Sequence, residues 1–226
     1  MVMSTLDYDD KTIKLINSFI VDKFSTFGFS KLTDIQKKAS PKILQKYNSL
    51  VIAPTGSGKT ECATIPIFEH IKKTKLPNKI KALYITPLRA LNRDVSRRIE
   101  KYAEHNGLKI KIRHGDTSQN ERKKIRDFPP DILITTPETL VVLLSQKKDL
   151  TALSDLEWII VDELHELLAS ERGSQLSISL ERLQFNSQKE IHRIGLSATI
   201  GNISDASKFL VGNNRKCEII LDKSVR

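Results

Sequence analysis

The sequence predicts an α/β fold in which a mostly parallel central sheet is covered by helices on both faces. Short apolar, β-rich runs alternate with longer stretches in which apolar residues recur every three or four positions. Most of the short runs are apolar throughout, as expected of strands that are buried on both faces. The predicted strands are Leu50–Ala53, Ala82–Thr86, Ile110–Arg113, Ile132–Thr135, Trp158–Val161, Ile194–Leu196 and Glu218–Leu221. The clearest predicted helices are Lys59–Ile71, Leu88–Ala103 and Gln175–Phe185.

One predicted strand differs from the others in its charge pattern. The run Lys109–Arg113 alternates basic and apolar residues, so one of its faces is expected to be exposed to water. Charged residues are typical of strands at the border of a sheet, where they discourage aggregation. We therefore expect this strand at an edge of the sheet.

The chain of 226 residues has the size of one domain with a substantial core. Its net charge of +10 is concentrated in residues 70–126, which hold 17 Lys and Arg against 5 Asp and Glu. Such a surplus favours a polyanionic partner, nucleic acid first and a membrane surface second. A lysine-rich solvated surface explains it equally well.

Cysteine content and hydropathy indicate the cellular setting. Cys62 and Cys217 are too few for a disulfide scaffold and lack metal-ligand spacing, so we expect a reducing, cytoplasmic location. The acidic amino terminus has no apolar signal region. No apolar run approaches the roughly 20 residues of a membrane helix, so we expect no membrane partner.

Polar clusters follow six of the predicted strands at the point where each strand ends. In a parallel sheet these ends share one side, and ligands of open α/β sheets bind there. The sequence therefore predicts one functional face. Its clusters are Pro54–Thr60, Thr86–Arg89, His114–Asp116, Thr135–Glu138, Asp162–His165 and Ser197–Thr199.

The segment Ala53–Thr60, APTGSGKT, matches a phosphate-binding P-loop, with alanine where the usual pattern opens with glycine. It follows an apolar strand and precedes an amphipathic helix, which is the required context. Gly56 and Gly58 permit backbone angles that turn successive N–H groups toward phosphate oxygens. Lys59 supplies a positive charge to the β- and γ-phosphates, and the Thr60 hydroxyl is a ligand for Mg²⁺.

A buried strand ends in the adjacent carboxylates Asp162 and Glu163. The first suits Mg²⁺ binding through its water shell, and the second suits polarisation of an attacking water molecule. Alone, the pair also fits an acidic helix amino terminus, which the helix dipole favours. His165 and the tripeptide Ser197–Thr199 are weak signals by themselves, and a structural role is their default interpretation.

In their order along the chain, these motifs resemble the first RecA-like domain of superfamily 2 helicases. The resemblance covers nearly the whole chain and is strongest to the DExH-type large helicase-related (Lhr) enzymes, followed by Ski2-like helicases. Phe29–Gln36 resembles the Q-type motif, Thr86–Leu91 resembles motif Ia, and Asp162–His165 resembles the DExH box of motif II. The Lhr branch is favoured by the phrases TPLRALNRD, RHGDTS, TTPETL and LSATIGN.

The resemblance implies a RecA-like P-loop NTPase domain that uses ATP and Mg²⁺, and it implies roles for individual residues. The implied catalytic residues are Lys59, Asp162, Glu163 and His165, with Thr60 and Asp162 as Mg²⁺ ligands. Nucleotide binding is implied for Gln36, Pro54, Thr55, Gly56, Ser57, Gly58, Lys59 and Thr60, with Gln36 contacting adenine. Nucleic-acid binding is implied for Thr86, Pro87, Arg89, His114, Gly115, Asp116, Thr135, Thr136 and Pro137. Ser197, Ala198 and Thr199 would couple the two halves, with a hydrogen bond from His165 to Ser197 or Thr199.

The implied function is an ATP-dependent 3′→5′ helicase or translocase acting on single-stranded or partly duplex nucleic acid. DNA is favoured, with DNA repair as the process. The alternatives are an RNA helicase, a motor subunit of a restriction or remodelling complex, and a nucleotide-gated nucleic-acid-binding module.

The resemblance also implies how the chain is organised. Residues 1–48 would form a helical lead-in with the Q-type motif, and residues 49–226 would form the RecA-like core. Related helicases continue into a second RecA-like domain that supplies arginines worth about 10³–10⁵ in rate in related NTPases. We find no equivalent in these 226 residues. We therefore expect a monomeric amino-terminal domain that binds ATP and nucleic acid but is nearly inactive by itself.

Overall fold

The computed structural model describes residues 10–87, 93–187 and 189–222. Its strands are β1 (Ser49–Ile52), β2 (Ala82–Ile85), β3 (Ile110–Arg113), β4 (Ile132–Thr135), β5 (Trp158–Val161), β6 (His192–Ser197) and β7 (Glu218–Leu221). Its helices are α1 (Asp10–Thr26), α2 (Asp34–Leu44), α3 (Lys59–Thr74), α4 (Arg93–His105), α5 (Gln119–Asp127), α6 (Pro137–Leu143), α7 (Lys147–Ala152), α8 (Glu171–Asn186) and α9 (Ile203–Val211). A short 3₁₀ turn spans Leu164–Glu166.

The seven strands form one parallel sheet in the order β3-β4-β2-β5-β6-β1-β7. Strand β3 lies at one edge, which confirms the prediction from its charge pattern, and β7 lies at the other. At the carboxyl ends, β1 and β6 finish side by side, with Ile52 paired to Ser197. Val161 at the end of β5 is paired to Ile85 at the end of β2. The strand order therefore puts the segments after β1, β6 and β5 at one half of this edge and those after β2, β4 and β3 at the other.

Alternate residues of the strands pack into two separate apolar layers, one on each face of the sheet. Val51 belongs to the layer that contains residues of α1, α2, α3 and α4, whereas Leu50 and Ile52 belong to the layer that contains residues of α5 to α9. A fully buried aliphatic side chain contributes about 1.5–3 kcal/mol, so both layers stabilise the fold. This arrangement confirms the predicted α/β class. None of the helices in the described residues has the length and apolar character of a membrane span.

Side-chain caps set where the helices that face the functional edge begin. The Thr33 hydroxyl accepts a hydrogen bond from the Gln36 backbone and the Gln36 side chain accepts one from the Thr33 backbone, which starts α2. Ser170 caps α8, so this helix begins four residues before the predicted Gln175. The described part of the predicted helix Leu88–Ala103 begins at Arg93, and Leu88 lies outside the described residues.

Candidate nucleotide-binding site

The P-loop connects β1 to α3 in a conformation that requires glycine at two positions. Gly56 and Gly58 have φ angles of 79° and 90°, a region that residues with a Cβ atom rarely adopt. Gly58 immediately precedes α3, so the positive, amino-terminal end of this helix points into the loop. Together these features form the anion-binding geometry that the sequence predicts.

The Lys59 side chain is folded into the P-loop. Its Nζ atom donates to the Ala53 carbonyl oxygen at 2.5 Å, and the residue is 7% exposed. Burial lowers the pKa of Lys59, while the carboxylates of Glu163 and Asp162 act in the opposite direction. A phosphate oxygen is a charged and therefore stronger acceptor than this carbonyl. A bound phosphate would therefore replace the Ala53 carbonyl oxygen as the acceptor of the Lys59 amino group.

The Q-type segment packs directly onto the P-loop. Thr33 Oγ1 donates to the Ser57 carbonyl oxygen at 2.8 Å. The Gln36 side chain, which is 1% exposed, lies so close to Gly58 that a Cβ atom there would be 2.3 Å from Gln36 Nε2. The structure therefore places Gln36, the predicted adenine ligand, directly beside the predicted phosphate ligands of the P-loop.

The carboxylate of Asp162 is held at the end of β5, 7% exposed, by hydrogen bonds to both of its oxygens. Oδ1 accepts from the Glu163 backbone N–H at 2.9 Å, and Oδ2 accepts from the Tyr84 hydroxyl. Burial raises the pKa of Asp162, although the Tyr84 hydrogen bond lowers it. Burial also raises the pKa of Tyr84, so this phenol stays a donor.

Glu163 adopts a left-handed backbone conformation with φ 49°, which is uncommon for a residue other than glycine. Such conformations cluster at functional sites, where the surrounding structure holds them in place. The unusual turn directs the chain into the 3₁₀ turn that carries His165. Glu163 Oε2 lies 3.4 Å from His165 Nδ1.

His165 is connected to the predicted coupling segment through Ser197. His165 Nδ1 lies 3.1 Å from Ser197 Oγ, and the Ser197 hydroxyl donates to the Thr199 carbonyl oxygen at 2.8 Å. Because that hydroxyl has a single proton, Nδ1 must be the protonated nitrogen that donates to Ser197. Of the two partners predicted for His165, the structure therefore contains Ser197. Thr199 takes part through its backbone, and Ala198 lies between them.

A cavity of about 560 Å³ joins the Q-type segment, the P-loop and the carboxylates that follow β5. Its lining combines P-loop residues, Asp162 and Glu163 with residues of α3 and α4 that the sequence analysis did not identify. Their signal is absent from the local sequence, because they come from different helices. The lining residues are Phe29, Thr33, Gln36, Thr55, Gly56, Gly58, Lys59, Thr60, Glu61, Val95, Arg98, Tyr102, Asp162, Glu163 and Glu166.

Among these residues, Glu61 is a buried carboxylate paired with two residues of α4. Arg98 Nη1 donates to Glu61 Oε1 at 3.0 Å, and the Tyr102 hydroxyl donates to the same oxygen at 3.3 Å. The ring of Tyr102 also packs edge-on against Phe27. This cluster neutralises a buried charge and fixes α4 beside the cavity.

The oxygen donors beside the P-loop fit a magnesium ion. Thr60 and Asp162 supply a hydroxyl and a carboxylate on the same cavity. Mg²⁺ binds one or two such protein ligands and completes its coordination with water and substrate phosphates. The described residues contain no group of three or more His, Cys, Asp or Glu side chains able to hold a metal.

Those predicted nucleic-acid residues that belong to the described part of the chain lie at the other half of the sheet edge, where two of the threonines are buried. The Thr86 backbone N–H donates to the Thr135 carbonyl oxygen at 3.1 Å, which links the ends of β2 and β4. The hydroxyls of both residues are buried and have no hydrogen-bond partner among the described residues. Thr136 caps α6, with Pro137 in its first turn.

The turn after β3 completes this half of the edge. The His114 backbone N–H donates to Thr117 Oγ1 at 2.9 Å, and the Asp116 backbone N–H lies 3.2 Å from His114 Nδ1. The guanidinium of Arg122 in α5 donates to the carbonyl oxygens of Gly115 and Thr117. Pro87 is the last described residue after β2, and the predicted contact residue Arg89 lies outside the described residues.

The sequence matches a known family over most of its length. The family model described as DEAD/DEAH box helicase covers residues 33–206, so the chain belongs to the DEAD/DEAH box helicase family. Among its curated relatives is the ATP-dependent helicase Lhr-Core of Saccharolobus solfataricus, which is 39% identical over 96% of this chain and 26% of its own length. Lhr-Core of Methanocaldococcus jannaschii is 38% identical over 95% of this chain and 27% of its own length. These relatives confirm the predicted likeness to Lhr enzymes, and the chain spans about a quarter of their length.

Solved structures agree with the sequence relatives. The Lhr helicase of Mycobacterium smegmatis, bound to ssDNA and AMP-PNP, is 36% identical and has a TM-score of 0.77 over 90% of this chain and 27% of its own. The helicase MrfA bound to DNA and AMPPNP is 25% identical and has a TM-score of 0.74 over 97% of this chain and 30% of its own. The fold is therefore that of RecA-like helicase domains, as predicted.

Proposed function

We propose that this chain is the ATP-binding motor domain of an ATP-dependent nucleic-acid helicase or translocase, moving 3′→5′ on DNA in DNA repair. The observation that carries the proposal is the single cavity that unites three separate motifs. Gln36 of the Q-type motif, Lys59 of the P-loop and Glu163 of the DExH box all line it. These segments are far apart in sequence, but each supplies a group that nucleotide binding and hydrolysis require.

In the proposed reaction, the chain holds and orients ATP for attack by water. P-loop N–H groups and Lys59 bind the phosphates, Gln36 binds adenine, and Thr60 and Asp162 hold the metal. Mg²⁺, when bound with ATP, neutralises charge on the β- and γ-phosphate oxygens. Glu163, which lines the cavity beside Asp162, polarises the attacking water.

Replacing Glu163 by glutamine tests the proposed hydrolysis. In a form of the protein that includes the second domain, we expect ATP turnover to fall at least about 100-fold, because the amide cannot accept a proton from water. Binding of a fluorescent ATP analogue should change little, since the phosphate ligands remain. Glu171→Gln, which removes an exposed carboxylate at the start of α8, is the control and should keep wild-type turnover. Undiminished turnover in Glu163→Gln would show that another group activates the water.

DNA as the partner is supported by the relatives and by charge. Three of the similar solved structures are described as bound to ssDNA or DNA, and the basic surplus of residues 70–126 suits a polyanion. Single-strand binding that responds to ATP without any unwinding would instead favour a nucleotide-gated binding module. We further propose a cytoplasmic location, which agrees with two cysteines that are both free thiols.

We propose that a second RecA-like domain completes the motor and that His165 and Ser197 carry the coupling. Ser197→Ala removes the acceptor for His165, so we expect ATP turnover to persist while unwinding per ATP falls severalfold. Both quantities should be measured in a form of the protein that includes the second domain. Thr199→Ala is the matched control, because Thr199 joins this network through its carbonyl oxygen. If unwinding stays tied to ATP turnover in Ser197→Ala, the coupling role is wrong.

A further inference from the structure

Tyr84 is a buried polar residue that none of the recognised motifs includes. It is the third residue of β2, is 1% exposed, and sits in the apolar layer that contains residues of α1 to α4. A tyrosine in such a place normally has a partner for its hydroxyl, because an unpaired buried donor destabilises the fold. Here the hydroxyl donates to Asp162 Oδ2.

Strand order explains how this contact arises. β2 and β5 are adjacent and parallel, with Tyr84 paired to Ile160 two residues before Asp162. The side chain of Tyr84 therefore reaches along the sheet to the carboxylate that follows β5. The Thr60 side chain is also close enough to this phenol to act on its pKa. The Tyr84 hydroxyl thus lies close to both candidate magnesium ligands, Thr60 and Asp162.

The contact determines the orientation of the Asp162 carboxylate. One oxygen is fixed by the Glu163 backbone N–H at 2.9 Å and the other by Tyr84. Rotation of the carboxylate would break both hydrogen bonds. Without the Tyr84 hydroxyl, one oxygen of a nearly buried anion would lose its donor, and the carboxylate would be held less firmly in this orientation.

We propose that Tyr84 is a positioning residue that orients the Asp162 carboxylate for the magnesium–nucleotide complex. The proposal rests on the nucleotide-binding function proposed above. Tyr84 is not among the residues that line the cavity and acts through Asp162, so its loss should alter how strongly Mg²⁺ promotes nucleotide binding. Packing in the core needs the ring of Tyr84, whereas the magnesium response needs its hydroxyl.

The test is Tyr84→Phe, which keeps the ring and removes the hydroxyl. Affinity of the 226-residue chain for a fluorescent non-hydrolysable ATP analogue is measured over a Mg²⁺ titration, with thermal unfolding recorded alongside. We expect the half-saturating Mg²⁺ concentration to rise about tenfold, in line with loss of one hydrogen bond to a charged group. Affinity without Mg²⁺ should stay close to wild type.

Tyr47→Phe is the matched control, because it removes a phenol that lies after α2 and outside the lining of the cavity. Its half-saturating Mg²⁺ concentration and its nucleotide affinity should equal those of wild type. In a double-mutant cycle, Tyr84→Phe should have no further effect on the magnesium response once Asp162→Asn is present. An unchanged Mg²⁺ titration in Tyr84→Phe overturns the positioning role. Failure of the wild-type chain to bind the analogue would overturn the proposed function as well.

Discussion

Replacing Gly58 by alanine will weaken binding of an ATP analogue at least about 100-fold, from two costs that sum to about 3 kcal/mol. Gly58 has φ 90°, where a residue with a Cβ atom is strained. The new Cβ atom would also lie 2.3 Å from Nε2 and 3.0 Å from Cδ of Gln36. Relief requires either the P-loop or the Gln36 side chain to move, and both line the nucleotide cavity. The two predicted binding elements cannot both keep their positions.

Two other glycines separate these contributions. Gly56 has φ 79° but nothing within 4 Å of an added Cβ atom, so Gly56→Ala should show the backbone strain alone and a smaller loss of affinity. Gly201 has open space around it and no positive φ, so Gly201→Ala should bind as wild type does. Fluorescence titration of the three variants gives the comparison. Equal affinities for Gly58→Ala and Gly56→Ala would show that Gln36 yields without consequence.

The parts of the fold and the site that were predictable from sequence are those with local causes. Apolar strands and amphipathic helices have their own periodicities, and β3 showed its edge position through alternating lysines. The P-loop is likewise a contiguous segment whose glycines and lysine have fixed tasks. For these elements, residues close together in sequence are also the ones that interact.

The rest depends on strand order, which the local sequence does not contain. Tyr84 resembles any other core residue until β2 is known to lie beside β5. The pairing of Glu61 with Arg98 depends in the same way on how α4 packs against α3. Whether Ser197 or Thr199 is the partner of His165 depends on which of the two side chains faces His165 at the end of β6. Each of these contacts joins segments that are distant along the chain.

The substitution Gly173→Ala has the largest expected effect on stability. Alanine in place of glycine in an exposed helix usually gains about 1 kcal/mol. At this site the added Cβ atom would lie 1.9 Å from the Leu167 carbonyl oxygen and 2.8 Å from its carbon. These are backbone atoms, which cannot rotate away. We therefore expect Gly173→Ala to destabilise the chain by about 3 kcal/mol or more, lowering the melting temperature by roughly 6–12 °C.

The control is Ser174→Ala, an exposed substitution on the next residue of the same helix, which should change stability by less than about 0.5 kcal/mol. Thermal and urea unfolding of both variants provide the measurement. Gly173 also accounts for how α8 meets the 3₁₀ turn, because Leu167 directly follows the turn that carries His165. Any shift that accommodates a methyl group at Gly173 moves α8 or that turn. A Gly173→Ala variant as stable as wild type would mean that α8 and the turn can separate freely, and His165 could then not be held rigidly against Ser197.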